Sequence, residues 1–279
     1  MLINYKLLES LPPLKEVIRK HKLSPDKKLG QHFLLDSSIT DQIVLSAGSL
    51  KGKTVLEIGS GPGGLTRSLL ASPAEKVVAV ETDTRCIAAL NEIKAVTGDR
   101  LEVINTDALK LDESSITNEK ITIIANLPYN IGTALLLKWL ERPQLFDSII
   151  IMLQKEVVDK IIAKPKAKNY GRLSILCQWL CEVETVFDLE PFYFYPPPKV
   201  DSSVIRIVPR IKLQYPCERK LLERITAQAF GMRRKIIKTS LKGILGPDAG
   251  TKLESLGINP LSRAEELSVE QFCRIASLL

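Results

Sequence analysis

A chain of 279 residues, 45% hydrophobic and 25% charged, has the make-up of a soluble globular protein with room for one large domain and a smaller one. No apolar run is long enough to span a bilayer and no signal-peptide core opens the chain, so a membrane partner is not expected; five scattered cysteines without a C-x-x-C pair suit a reducing, cytoplasmic compartment. The net charge of +7 points towards a polyanionic partner, with a merely basic surface as the alternative.

Residues 1–28 read as a short helix and a basic arm, with Leu14, Val17, Ile18 and Leu23 near helical spacing after Pro12-Pro13. Glu9, Glu16 and Asp26 argue against an organelle presequence, which is poor in acids. After Lys27-Lys28, Gly30-Gln31-His32-Phe33-Leu34 is a glycine-containing loop with a lone His. His21 and His32 give no metal-ligand spacing with the cysteines, and Cys177 and Cys181, four apart in a helical-looking stretch, read as a buried apolar face; no metal site is expected.

An α/β pattern then begins. Thr54–Ile58 reads as a strand, Gly59-Ser60-Gly61-Pro62-Gly63-Gly64 as the break after it, Leu65–Ala71 as a helix, and Lys76–Val80 as a second strand ending on Glu81. Glycines there allow a tight turn and close backbone approach to a ligand, and Glu81 is placed to accept from a ribose diol. Gly59, Gly61 and Gly64 also fit the dinucleotide pattern G-x-G-x-x-G. Two features favour S-adenosylmethionine: Glu57 ahead of the first glycine, and Asp107 at the end of a third strand, Leu101–Ile104, where a carboxylate can accept from an adenine amine. The competing role for Asp107 is the N-cap of a following helix.

Ile121–Ala125 is a further strand, and Asn126-Leu127-Pro128-Tyr129 follows it, at the strand end where ligand chemistry is done in open α/β sheets. Asn offers a carbonyl acceptor and an NH2 donor, and Tyr a flat face with a polar tip, so the four residues could grip a planar amine; a plain turn is the alternative. An apolar helix to Leu140 and a fifth strand, Ser148–Leu153, come next, and Glu182–Leu189 and Ser203–Val208 alternate well enough to close the sheet. Lys164–Gly171 is a basic loop that is either a phosphate contact or simply solvated. Phe192-Tyr193-Phe194-Tyr195-Pro196-Pro197-Pro198-Lys199 is either a stacking platform beside a cation or a rigid crossover with its aromatics in the core. Past Pro209 the pattern is helical only, with Cys217–Ala229 amphipathic and Ser262–Leu279 a final helical segment. Arg233-Arg234-Lys235, Lys238 and Lys242 place cations of one sign on a short helix, a pattern suited to phosphate.

Taken in order, Gly30–Leu34, Glu57–Gly63, Asn126–Asn130, Leu153–Val157, Tyr170–Ser174, Phe194–Ser202 and Arg233–Lys235 resemble the motifs of the KsgA-type ribosomal RNA adenine dimethyltransferases, from Leu29 to the C-terminus. The resemblance implies a Rossmann-like S-adenosylmethionine-dependent methyltransferase sheet (29–209) after the N-terminal arm (1–28), and a small all-helical RNA-binding domain (210–279). It implies dimethylation of N6 of two adjacent adenosines near the 3′ end of 16S RNA in a 30S precursor; a monomer is expected. It further implies that His32, Leu34, Gly59, Gly61, Glu81, Asp107 and Asn126 line the cofactor site. Asn126, Tyr129 and Phe194 would hold the base, with the Pro128 carbonyl as a second acceptor for its amine, and Lys199, Arg233, Arg234, Lys235 and Lys238 would meet RNA. His32 stands where many members carry Asn, and Phe230-Gly231-Met232 where they usually have more polar residues. Other readings are a related 23S RNA adenine methyltransferase of the macrolide-resistance type, a DNA adenine methyltransferase, an RNA-binding assembly factor, and a nicotinamide oxidoreductase.

Overall fold

Strands that are apolar on both faces need helices on both sides, and the centre of this protein is built that way. The computed structural model describes residues 3–26 and 29–279. Its strands are β1 (Phe33–Leu34), β2 (Thr54–Ile58), β3 (Lys76–Glu81), β4 (Leu101–Asn105), β5 (Ile121–Asn126), β6 (Phe146–Gln154), β7 (Cys181–Leu189), β8 (Phe194–Tyr195) and β9 (Ser202–Pro209). Seven form one sheet in the order β4-β3-β2-β5-β6-β9-β7, and β1 pairs with β8 in a separate ribbon. Pairing is parallel from β4 through β6, and β9 runs antiparallel to β6. The chain winds from β2 out to β4, then returns to lay β5 against β2. Strand order therefore reverses between β2 and β5, and the loops leaving their carboxyl ends open a crevice.

Burial follows strand position. In β5, Ile121–Ala125 are buried without a break, as suits a central strand. β7 lies at the sheet edge with Glu182, Glu184 and Asp188 exposed, charges that discourage pairing with another chain. The helices Gly64–Ala71 and Thr84–Thr97 pack their apolar sides, including Leu69, Leu70, Leu90 and Ile93, into the same core as Val55, Val77 and Ile150.

The strand expectations from β2 to β6, and those for β7 and β9, match to within two residues; the two-residue strands β1 and β8 carried no periodicity to find. The N-terminal segment is a packed part of the fold: Leu8 lies in the main core, Val17 and Leu23 are buried, and the Tyr5 hydroxyl donates to Asp41 and bonds Ser68 at 2.9 Å. Lys27 and Lys28 lie outside the described residues.

The chain divides into two compact units, 1–158 with 184–209, and 159–183 with 210–279. Residues 159–183, expected within the methyltransferase domain, thus group with the helical C-terminal region. The second unit is centred on Tyr170, fully buried, whose hydroxyl donates to the Leu267 carbonyl at 2.9 Å. Phe230 stands edge-on to Tyr170 and lies tilted against Phe272, so Phe230 serves this core. Four of the five cysteines are buried, Cys177 inside the helix Arg172–Leu180 and Cys181 opening β7 rather than sharing one helical face.

Gly63 tests the tightness of the first unit. Its φ of +91° is in the left-handed region, and a Cβ there would lie 2.5 Å from Ile93 Cδ1, whereas Gly48, at φ +75°, has open space around its Cβ position. Gly63→Ala is expected to destabilise by about 1–3 kcal/mol from backbone strain, with overpacking on top. Gly48→Ala carries only the strain, so urea unfolding should show the larger loss at Gly63, and equal losses would contradict the packing argument.

Candidate active site

Five segments converge on one open cleft. They are the glycine turn after β2, Glu81 at the end of β3, Asp107 beyond β4, Asn126–Tyr129 at the end of β5, and Leu29–Leu34 across the mouth. This is the crevice at the strand-order reversal, where an open α/β sheet binds its ligand.

Carboxylates set the glycine turn. Glu81 Oε2 accepts from the Gly61 N–H at 2.8 Å, and its Oε1 from the Thr82 and Asp83 N–H groups at 2.7 and 2.9 Å. The turn is thereby tied to the end of β3. Below it Glu57, 1% exposed, accepts from the Thr66 hydroxyl at 2.5 Å. Burial dominates that carboxyl and pushes it from 4.5 up to about 7, against the opposing hydrogen bond from Thr66. Asp107 Oδ1 accepts from the Leu109 N–H at 3.0 Å in a turn with no helix following, so the N-cap alternative drops out.

The Asn126 amide is oriented by the chain crossing the mouth. Its Nδ2 donates to the His32 carbonyl at 3.2 Å, which leaves Oδ1 as the acceptor on the opposite side. Gly59, at φ +70°, backs onto Pro128, and a Cβ at Gly59 would stand 3.1 Å from Pro128 Cδ. The glycine turn and the Asn126–Tyr129 segment therefore close on one another without room for a side chain. Tyr129 stacks on the His32 ring with centroids 5.3 Å apart and planes 29° apart.

His32, Leu34, Gly59, Gly61, Glu81, Asp107, Asn126, Pro128 and Tyr129 all line this cleft. Two expectations change. The Pro128 carbonyl accepts from the N–H groups of Ile131 and Gly132 at 3.2 and 3.1 Å, so both its lone pairs are engaged at a helix start. Phe194 is not a wall of the cleft: it pairs with Leu34 and is 4% exposed in the main core. Side chains alternate along a strand, so β8 turns Phe194 in and leaves Tyr195 exposed. The proline-rich loop is thus both things at once, a core contact at Phe194 and an exposed aromatic surface at Phe192 and Tyr195.

Of the basic residues, Lys199, Arg234, Lys235 and Lys238 are exposed. Arg233 is spoken for by Glu265 at 2.6 Å and by the Lys168 carbonyl at 2.8 Å, so it holds the Lys164–Gly171 loop. Arg233–Lys235 sit on a turn after the helix that ends at Gly231, and Lys238 and Lys242 lie on two separate four-residue helices, Ile237–Ser240 and Lys242–Leu245, so the cluster does not share one short helix. Sequence reasoning missed Ser202, whose hydroxyl bonds the Tyr129 hydroxyl at 2.5 Å, and the Pro196 carbonyl, 2.7 Å from His32 Nδ1. The proximity of Ser202 to the proline-rich loop was the one available signal.

The model of the ribosomal RNA adenine dimethylase family matches residues 23–279. The chain belongs to that family. It is 50% identical to the ribosomal RNA small subunit methyltransferase A of Cereibacter sphaeroides over 96% of this chain and 97% of that one, and 49% identical to that of Sinorhizobium medicae over 98% and 99%. Among solved structures it resembles a dimethyladenosine transferase from Plasmodium falciparum, with a TM-score of 0.77 and 27% identity over 88% of this chain and 96% of that one. The 23S rRNA methyltransferase ErmE gives a TM-score of 0.69 at 25% identity over 88% and 98%. Membership makes the protein an S-adenosylmethionine-dependent rRNA adenine dimethyltransferase. The cleft fits that cofactor: a floor of bare glycine backbone at Gly59 and Gly61, and carboxylates at the ends of two successive strands.

Glu57 makes the site pH-sensitive in stability. Folded and unfolded chains both hold its proton below about pH 4.5; from there to about pH 7 the unfolded chain loses it first, so stability falls as pH rises. The loss totals roughly 3 kcal/mol and is constant above that range. Glu57→Gln lacks it, so urea unfolding across pH 4.5 to 8 should show the variant gaining on the parent up to about pH 7. Parallel stability curves would refute this assignment.

Proposed function

We propose that this enzyme carries methyl groups from S-adenosylmethionine to N6 of two adjacent adenosines near the 3′ end of 16S RNA, in a 30S precursor, as a cytoplasmic monomer. The observation that supports it best is the Asn126 amide, held by the His32 carbonyl with Oδ1 on the free side.

S-adenosylmethionine, when bound, supplies an electrophilic methyl on a sulfonium. Gly59 and Gly61 would face it with backbone, Glu81 would accept from its ribose hydroxyls, and the second oxygen of Asp107 from its adenine amine. His32 and Leu34 would cover it from the mouth.

The substrate amine is a poor nucleophile because its lone pair is delocalised into the ring. Accepting its N–H bonds on oxygens favours a pyramidal nitrogen whose lone pair is available. Asn126 Oδ1 provides one acceptor. With the Pro128 carbonyl engaged, the second role passes to the backbone carbonyl of Leu127, a residue that lines the cleft. Orientation of this kind can supply up to ~7–11 kcal/mol of a barrier. The methylated nitrogen then sheds its proton to water, so no strong base is required. Tyr129 would stack on the adenine drawn from its helix and offset part of an unstacking cost of a few kcal/mol. Lys199, Arg234, Lys235 and Lys238 would meet phosphates; Arg233 would act through the loop it holds.

Similarity to ErmE keeps 23S RNA as a second reading, and the names of the near-full-length relatives favour the small subunit. Labelled methyl transfer to unmethylated 30S and 50S particles separates them: N6,N6-dimethyladenosine is expected from 30S alone, and label in 50S would reverse the assignment. Asn126→Ala should lower kcat by about 10²–10³-fold while 30S binding survives. A growth phenotype rescued by that variant would make assembly, rather than methylation, the role that matters.

A further inference from the structure

Tyr129 is held by two side chains, one against its ring and one at its hydroxyl. Its ring lies against His32, and its hydroxyl is bonded to Ser202, which is fully buried at the start of β9 opposite Gln154. His32 is itself fixed, because Nδ1 is 2.7 Å from the Pro196 carbonyl. A carbonyl can only accept, so Nδ1 carries the proton and the ring cannot turn over without losing that bond. Pro196 and Ser202 lie at either end of one short stretch, Pro196–Ser202, that joins β8 to β9.

We propose that His32 and Ser202 are positioning residues that clamp the Tyr129 ring from opposite ends, so that one face is covered and a flipped adenine can stack only on the other. This rests on the reading that Tyr129 stacks the target base. An aromatic side chain has two equivalent faces and a rotatable ring, and a base could settle on either. His32 occupies one of them. The Tyr129 hydroxyl is bonded to Ser202, which fixes the far end of the ring. The same residue thus sets both grips on the base: its carbonyl orients the Asn126 amide and its imidazole sets the plane of Tyr129.

The Ser202 end of the clamp acts on geometry and not on binding of cofactor, since Ser202 is not among the residues that line the cleft. Ser202→Ala should therefore lower kcat about tenfold or more, since small misplacements of a reacting group are costly, while KM for 30S particles and the Kd for S-adenosylhomocysteine stay within about twofold. Tyr129→Phe removes the same bond from the other side and keeps the ring. If the bond is the cause, the Ser202→Ala, Tyr129→Phe double variant loses no more than either single one. His32→Asn can still donate to Pro196 but cannot stack, and should fall with Ser202→Ala. Carbon-13 tyrosine spectra of the protein without substrate give a readout apart from activity: a sharp Tyr129 ring signal in the parent should broaden or shift in His32→Asn and in Ser202→Ala.

Full kcat in Ser202→Ala and His32→Asn, with Tyr129→Ala inactive, overturns the clamp and leaves base stacking standing. Full activity in Tyr129→Ala overturns base stacking and the clamp with it. Additive losses in the double variant also overturn the clamp, because Ser202 would then act elsewhere.

Discussion

The hydrogen bond from the Asn126 side chain to the His32 carbonyl joins the end of the central strand β5 to the segment that crosses the mouth of the cleft. An amide can present either its oxygen or its nitrogen to a ligand, and nothing in β5 decides which. A carbonyl opposite it does. Once the nitrogen is claimed, the oxygen is the side chain's only acceptor on the free side, and a site for an amine follows. The segment carrying His32 is in turn held by the pairing of β1 with β8, by Phe194 in the core, and by Gln31, which donates to Asp83 at 3.2 Å. Chemistry at the end of one strand thus depends on a two-residue ribbon far along the chain.

Charge in the cleft is arranged by depth. Glu81 has three backbone N–H donors and serves as a hub for the glycine turn, while Glu57 lies beneath in an apolar layer with one hydroxyl. Two carboxyls so close cannot be equally comfortable as anions. The shallower one has the donors, and the deeper one bears the cost of burial.

Much of this could be read from residues in order. The parallel strands announce themselves by unbroken Val and Ile runs, and Gly59–Gly63, Glu81, Asp107 and Asn126 fall where runs end, which is where an α/β sheet puts its ligand. What escaped had no local signal. That Phe194 and not Tyr195 is the one that enters the core follows from alternation along a two-residue strand that has no pattern to detect. The loss of the Pro128 carbonyl to Ile131 and Gly132 is a matter of backbone accounting after a turn. Grouping 159–183 with the C-terminal helices depends on long-range packing of Tyr170 and Trp179, whose own neighbourhood in sequence looks like any amphipathic α/β segment. The basic cluster was visible as charge, but its turn geometry and the capture of Arg233 by Glu265 were not.

The interleaving of the two units has a consequence for how the protein can be cut. The chain passes from one unit to the other at 158, at 183 and at 209, so neither unit is a continuous stretch. A fragment ending at 209 would keep Tyr170 and Trp179 but lose Leu267 and Tyr215, whose carbonyls accept from them. It would bare an apolar surface centred on two aromatic rings, with two stranded donors in it. The catalytic sheet of this enzyme is therefore not a detachable module: to remove the helical unit cleanly, a designer would have to excise two pieces of chain and splice β6 directly into β7.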